Sequence, residues 1–482
     1  MYEKHEQDDV EKADLDTRRN TLSSISSSDS QHDEIDVDAI QRSTSRTEPG
    51  EKSVRPSTDL KRTASNVLSR VASRITTRSI TNPPPPPNGG LHAWTQVACG
   101  GLVIMCTWGW VNSYGTFQSY YIRELGLSSS TVSWIGSFQN FLTFVIGAFS
   151  GRLLDAGWFV PCFAVGSLIQ VLGIFCMSLS TKYWQLLLTQ GIMTGIGGGI
   201  IFTPTMGLIG SYFSTRRALA VGCATLGNSI GGMIYPVIVQ QLLPKVGFAW
   251  TARVLGFVNL ACLGLALVYL RPRLPPRKSG PMVDLSAFKE PTYALLVAGL
   301  FMFMWPNYYT FYNITAYGTQ RLNLPFTSAT TLTIVLNGVG LPFRIIPPLC
   351  ADRFGQFNVV VPILACFAIV QFTWLAVTSI PGLYVFTTFY GIASASFQCL
   401  IPSTMASITP EMNRFGTRLG MMFSTVSIAA LTGPPLGGAI QGAMDGRWWG
   451  AQTWAGIGLA LCFALMLGAR VSKAGWKLGP HC

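Results

Sequence analysis

Between residues 93 and 469 the chain repeats one unit, an apolar stretch of bilayer-spanning length followed by a short polar break. A helix needs about 20 predominantly apolar residues to cross a bilayer. Such stretches fall at 93–118, 130–150, 159–180, 184–208, 218–240, 250–270, 292–314, 328–349, 357–378, 382–406, 418–440 and 449–469, twelve in all. Lipid offers a backbone no hydrogen bonds, so each stretch must satisfy its own as a helix. The expected fold class is an all-α membrane protein with twelve transmembrane helices, partnered by the lipid bilayer.

Charge is distributed for two solvents. Only 12% of the residues are charged, against about 25% in ordinary soluble domains. Of the 22 Asp and Glu, 15 lie in residues 1–88, which leaves seven for the remainder. Residues 1–88 are Ser-rich and too polar to bury a core, so a disordered cytosolic tail is expected there. No charged segment followed by an apolar one opens the chain, so no cleavable leader is expected. Within the tail, 66–80 puts Val67, Val71 and Ile75 on one helical stripe and Arg70, Arg74 and Arg78 on another. That pattern suits a helix on an anionic leaflet. An unfolded segment open to a kinase, for instance at Ser73, fits equally.

With the tail inside, fourteen Lys and Arg flank the spans on the cytosolic side and six on the outer side. This asymmetry satisfies the positive-inside rule and places both termini in the cytosol. Arg216 and Arg217 then mark the cytosolic entry to the fifth span.

An offset of 198 maps Pro204 onto Pro402, Arg216 onto Arg414, Gly222 onto Gly420 and Pro236 onto Pro434. One residue off that register, Asp155 in "GRLLDAG" matches Asp352 in "CADRFG". Transporters are often built from two such related halves. The division expected is a tail at 1–88, a six-helix bundle at 89–270, a cytosolic linker at 271–290 and a second six-helix bundle at 291–482.

Cys223, Gly227 and Gly231 share one nearly bare stripe of the fifth helix, where a neighbouring backbone can come close. "GIGGG" at 195–199 serves the fourth span in the same way. Neither is a phosphate cradle, because no strand precedes it and no G-x-x-x-x-G-K-[ST] occurs. An ATP-driven pump is therefore excluded, and no nucleic-acid partner is expected. The four His are scattered, no acid pair lies near a span, and the eleven Cys show no metal or disulfide spacing. The chain is read as no enzyme, without a metal or cofactor.

Two stretches carry a family resemblance. "NGGLHAW" (88–94) resembles the first-helix motif of the monocarboxylate-porter branch of the major facilitator superfamily, with Asn88 where the branch has an acid. "YFSTRRALAVGCATLGNSIGG" (212–232) resembles that branch's fifth-helix motif, and the fungal members most of all. The resemblance covers 88–475 and implies two six-helix bundles working by alternating access. It also implies gating by the loops after the second and eighth spans, here with Asp155, Asp352 and Arg353, together with Arg216 and Arg217. Animal lactate carriers of the branch place a lysine in the first span and, in the eighth, an Asp four residues before an arginine. Here those positions hold Val111 or Asn112, Gly340 and Arg344. Only the arginine is kept, which argues against proton-coupled lactate transport.

Arg344 admits two readings. It either snorkels or pairs with Asp352 as a gate, or it receives an anionic group of a small-molecule substrate. No Asp or Glu lies well inside any span, which favours a uniporter or an anion exchanger. Asn112, Tyr114 and Gln118 in the first span, and Asn307, Tyr308, Tyr309 and Tyr312 in the seventh, are candidates for a cavity that stacks on a ring-bearing ligand. An aromatic belt at the outer interface is the alternative for the seventh-span residues. Pro306 can break or kink that helix. Asn337, Tyr390, Gln398, Asn228 and Tyr235 are secondary candidates. The function expected is efflux of a small organic anion, with uptake of a monocarboxylate or riboflavin, or a non-transporting sensor, as alternatives.

Overall fold

The computed structural model describes residues 85–214, 217–274, 283–409 and 414–475, without the side chains of Asp155 and Ala218. The expectations for the tail before residue 85, and for Arg216, lie outside the described residues. Every element among the described residues is helical.

Among the described residues nine helices are long and apolar enough to cross a bilayer, and a bent pair makes a tenth span. One of the nine, Arg217–Tyr269, holds Gly247 at φ 73° and ψ 176°, so it is two helices, α5 (217–246) and α6 (248–269). The first span (α1, 90–125) is assembled from Gly90–Ile104, a π-turn at Met105–Gly109, Trp110–Asn112 and Tyr114–Leu125. The others are α2 (Ser129–Asp155), α3 (Phe159–Met177), α4 (Tyr183–Tyr212), α7 (Pro291–Arg321), α8 (Phe326–Val339 with Pro342–Phe354), α9 (Gln356–Thr373), α10 (Ile380–Ser407), α11 (Phe415–Ala443) and α12 (Trp449–Ala474). Together these make twelve spans. Large apolar side chains such as Leu168, Leu172, Phe257, Leu260, Ile369 and Phe389 are exposed along them. Such a surface belongs in lipid rather than water.

Bare backbone sets the closest packing. A Cβ on Gly231 of α5 would stand 2.6 Å from the Met105 carbonyl oxygen, and Gly227 abuts the Gly101 carbonyl. Gly195, Gly197 and Gly199 of α4 meet backbone atoms of Gln139, Gln170 and Leu142 in the same way, wedging α4 between α2 and α3. Cys223 is only half-buried.

The bend differs from expectation. α7 runs unbroken past Pro306, whereas α8 bends by 43° after Val339. Pro342, Pro347 and Pro348 each remove a backbone donor there, so the regular ladder cannot continue. The Cys399 thiol donates at 3.7 Å to the Phe343 carbonyl, which Pro347 cannot serve.

The two motif stretches meet. Asn88 accepts from the Ser214 backbone N–H at 2.6 Å and from its hydroxyl at 3.0 Å. His92 sits edge-on to Tyr212 at 5.7 Å, and Trp94 edge-on to Phe213 at 5.4 Å. An amide oxygen at residue 88 thus makes the contacts that an acid would make, which is why Asn serves.

Candidate substrate site

The first six spans meet the last six mainly through α2 with α11, α5 with α8, and the second half of α1 with α7. The glycines of the sequence repeat occupy matching places in two of these pairs. A Cβ on Gly222 would lie 3.4 Å from the Arg344 carbonyl of α8, and one on Gly420 would lie 3.1 Å from the Ala148 carbonyl of α2.

Arg344 sits at the bend of α8 and is 3% exposed. It does not snorkel. Its Nε donates to Ser229 Oγ of α5 at 2.8 Å, and its Nη2 donates to Gln398 Oε1 of α10 at 3.5 Å. The amide orientation that satisfies Asn228 turns its oxygen to accept from Arg344 Nη2 at 2.9 Å and its nitrogen to donate to the Trp108 carbonyl at 3.2 Å. Every one of these partners is neutral. Asp352 is exposed and makes no ion pair with Arg344.

From Arg344 a polar chain extends in both directions. In the alternative orientation of the Asn228 amide, Asn112 Nδ2 donates to Asn228 Oδ1 at 2.7 Å, and in either orientation of Asn228 it donates to Asn337 Oδ1 at 3.3 Å. On the other side Gln398 Nε2 donates to Ser394 Oγ at 2.9 Å, and Ser394 donates to Asn307 Oδ1 at 3.4 Å. The Tyr390 hydroxyl donates to the same Asn307 oxygen at 3.1 Å. Asn112, Asn307 and Tyr390 are fully buried, and Asn307 Nδ2 has no partner. One continuous network therefore joins α1, α5, α7, α8 and α10 around a single guanidinium.

The aromatic candidates divide. Tyr308 packs on Tyr312 with ring centroids 5.6 Å apart, and Tyr312 on Tyr114 at 4.8 Å. Asn140 Nδ2 donates to the Tyr312 hydroxyl at 3.3 Å, and the Tyr114 hydroxyl donates to the Val132 carbonyl at 2.6 Å. Tyr309 turns the other way, against Trp374 and Trp454, with its buried hydroxyl unpartnered. The Tyr235 hydroxyl is likewise unpartnered, beside Trp110.

Towards the Gly126 end, α1 and α7 close on each other. Gln118 Nε2 donates to Asn313 Oδ1 at 3.0 Å, as does Ser129 Oγ of α2 at 2.8 Å. Asn313, part of a glycosylation sequon, is fully buried in this contact.

At the basic end, Arg353 is exposed over the Phe354 ring, and Arg217 lies over Phe415 with 5.7 Å to the ring centroid. Arg418 is 3% exposed and bonded by Nη1 to Glu290 Oε2 at 2.8 Å, with Asp284 Oδ2 at 3.9 Å from its Nε. Asp284 also pairs with Arg414 at 3.6 Å. The Ser286 hydroxyl, reinforced by the Arg414 and Arg418 guanidinium groups, holds the Asp284 carboxyl below its usual range.

Sequence reasoning passed over Ser229, Ser394 and Arg418. A signal for Ser394 exists, since Tyr390, Ser394 and Gln398 recur at four-residue spacing on one face of α10. Arg418 gave none, because its acid partners lie 128 and 134 residues away.

The Major Facilitator Superfamily profile matches residues 97–356. Over 390 residues, 80% of this chain and 88% of the relative, the sequence is 40% identical to an MFS-type transporter of Gibberella zeae. It is 32% identical over 388 residues, 79% of either chain, to the aspyridones efflux protein of Emericella nidulans. The solved nucleoside transporter NupG overlays with a TM-score of 0.61 at 15% identity, covering 80% of this chain and 100% of that one. Fold and relatives together define a multi-pass membrane transporter. The chain belongs to the major facilitator superfamily.

Proposed function

We propose that this carrier exports a small organic anion or weakly acidic secondary metabolite across the plasma membrane. Arg344 is its anion receptor. The observation that carries this reading is a guanidinium 3% exposed whose hydrogen bonds all go to neutral groups. A buried charge without a countercharge is costly, and within a membrane such residues mark substrate and ion pathways. A planar fork of donors suits a carboxylate or enolate. Arg418, equally buried, has its carboxylate in place.

Alternating access would rock 89–270 against 291–470 about the glycine-faced α5–α8 and α2–α11 pairs, with both termini in the cytosol and the tail open to kinases. Tyr308 and Tyr312 supply a shelf for a ring. The efflux named for the Emericella nidulans relative favours export over uptake. Placement in the monocarboxylate-porter branch rests on the 88–94 and 212–232 stretches, which dock on each other.

Untargeted mass spectrometry of cells and medium tests this with the intact strain, a deletion, and an Arg344→Gln strain of confirmed membrane abundance. An acidic compound that accumulates in cells and leaves the medium in both altered strains supports the reading. Organic acids or riboflavin lingering in the medium of the deletion would overturn it in favour of uptake.

A further inference from the structure

We propose that the empty translocation centre carries one uncompensated positive charge, that a singly charged anion cancels it, and that membrane potential rather than a proton gradient drives export. The proposal rests on Arg344 being the anion receptor and adds how the cycle is energised.

The charge count comes from the residues around the site. A guanidinium stays protonated in proteins. The side chains that hydrogen-bond Arg344 are Ser229, Asn228 and Gln398, all uncharged. A proton-coupled cycle needs a titratable group that changes exposure with the site, and among the described side chains no Asp or Glu reaches it. Glu124 is exposed and pairs with Arg123, Asp445 lies in a turn after α11, and Asp352 is exposed. Asp284 and Glu290 are bound to Arg414 and Arg418 at the basic end. Asp155 and Glu411 fall between spans in the sequence. His92 is exposed at the start of α1. Of the other two buried arginines, Arg418 has Glu290, and Arg470, bonded to Asn358 at 2.8 Å, lies near the end of α12 and outside the network around Arg344.

The consequence is electrical. A carrier loaded with a monoanion reorients with a neutral centre, while the empty carrier returns with one positive charge. In a cell that is negative inside, that return runs down the potential, and each cycle moves one negative charge out. One charge across 100 mV corresponds to about a 50-fold outward concentration ratio. A dianion would leave an unpaired negative charge in the centre, so dianions are poor substrates.

The test uses living cells of the source strain and a deletion, following every compound whose appearance in the medium depends on the carrier. Valinomycin with high external potassium collapses the potential and leaves the pH gradient. Nigericin collapses the pH gradient and leaves the potential. The proposal expects carrier-dependent release to fall at least tenfold in the first case and to change less than twofold in the second. The reverse pattern overturns it while leaving Arg344 as an anion receptor. Finding no carrier-dependent compound overturns both this inference and the export reading beneath it.

Discussion

Gly231 and Gly109 pack backbone to backbone, each so close that a Cβ on it would stand 2.6 to 2.7 Å from the other's Cα. Side chains essentially never approach so near, so the α1–α5 contact exists only because both residues lack one. Gly231→Val is expected to force the helices apart, at a cost of about 1–3 kcal/mol or more. Gly264→Val, where nothing lies within 4 Å of the added carbon, is the control. The measurement is monodisperse yield after detergent extraction, which should collapse for the first and hold for the second.

The fold was legible because burial in lipid forces a helix wherever about 20 apolar residues run together. The stripe of Gly227 and Gly231 needed only helical spacing to be read. The break in α8 was not read from the sequence, whereas α7 continues through Pro306, because a lone proline can be absorbed within a helix while three in seven residues cannot. Arg344, Asn112, Asn307, Asn337, Tyr390 and Gln398 could be singled out as polar residues in apolar runs. That they form one chain, and that Tyr309 leaves it, depends on helix rotation, which periodicity does not supply.

The split among the tyrosines is directly testable. The Tyr309 hydroxyl has no partner and stands among Trp374 and Trp454, so Tyr309→Phe should leave transport within about twofold. Tyr390→Phe removes the hydrogen bond that holds Asn307 and should lower transport about fivefold, a loss of about 1 kcal/mol. Carrier-dependent release normalised to membrane abundance distinguishes the two.

Gln118, Asn313 and Ser129 hold α1, α2 and α7 together at the Gly126 end. Asn313→Ala should release that closure and favour conformations open there. Thr116, fully buried on α1, provides a reporter site. In a background without other accessible thiols, Thr116→Cys should react with a membrane-impermeant thiol reagent several-fold faster when Asn313→Ala is added. An unchanged rate would mean the contact does not gate.

The Asp284 carboxyl contributes stability through linkage. Its folded-state pKa lies below its unfolded value near 3.9, so the contribution is present above about pH 4 and is lost as pH falls through the folded value. Asp284→Asn should therefore lower Tm at pH 6 by a few degrees, and the difference from the parent should shrink as the pH falls below about 4. Thermal unfolding in detergent across that range checks the sign.

The central claim is that Arg344 receives the anionic group of the cargo. The most direct measurement is binding of the exported compound, and of its methyl ester, to purified parent and Arg344→Gln protein by calorimetry. A charge-assisted hydrogen bond is worth about 1.5–3 kcal/mol, so the acid should bind the parent about 10- to 100-fold more tightly than the variant. The ester should bind both weakly and alike. Equal affinity of the acid for the two proteins, or equal affinity of acid and ester for the parent, would contradict the account.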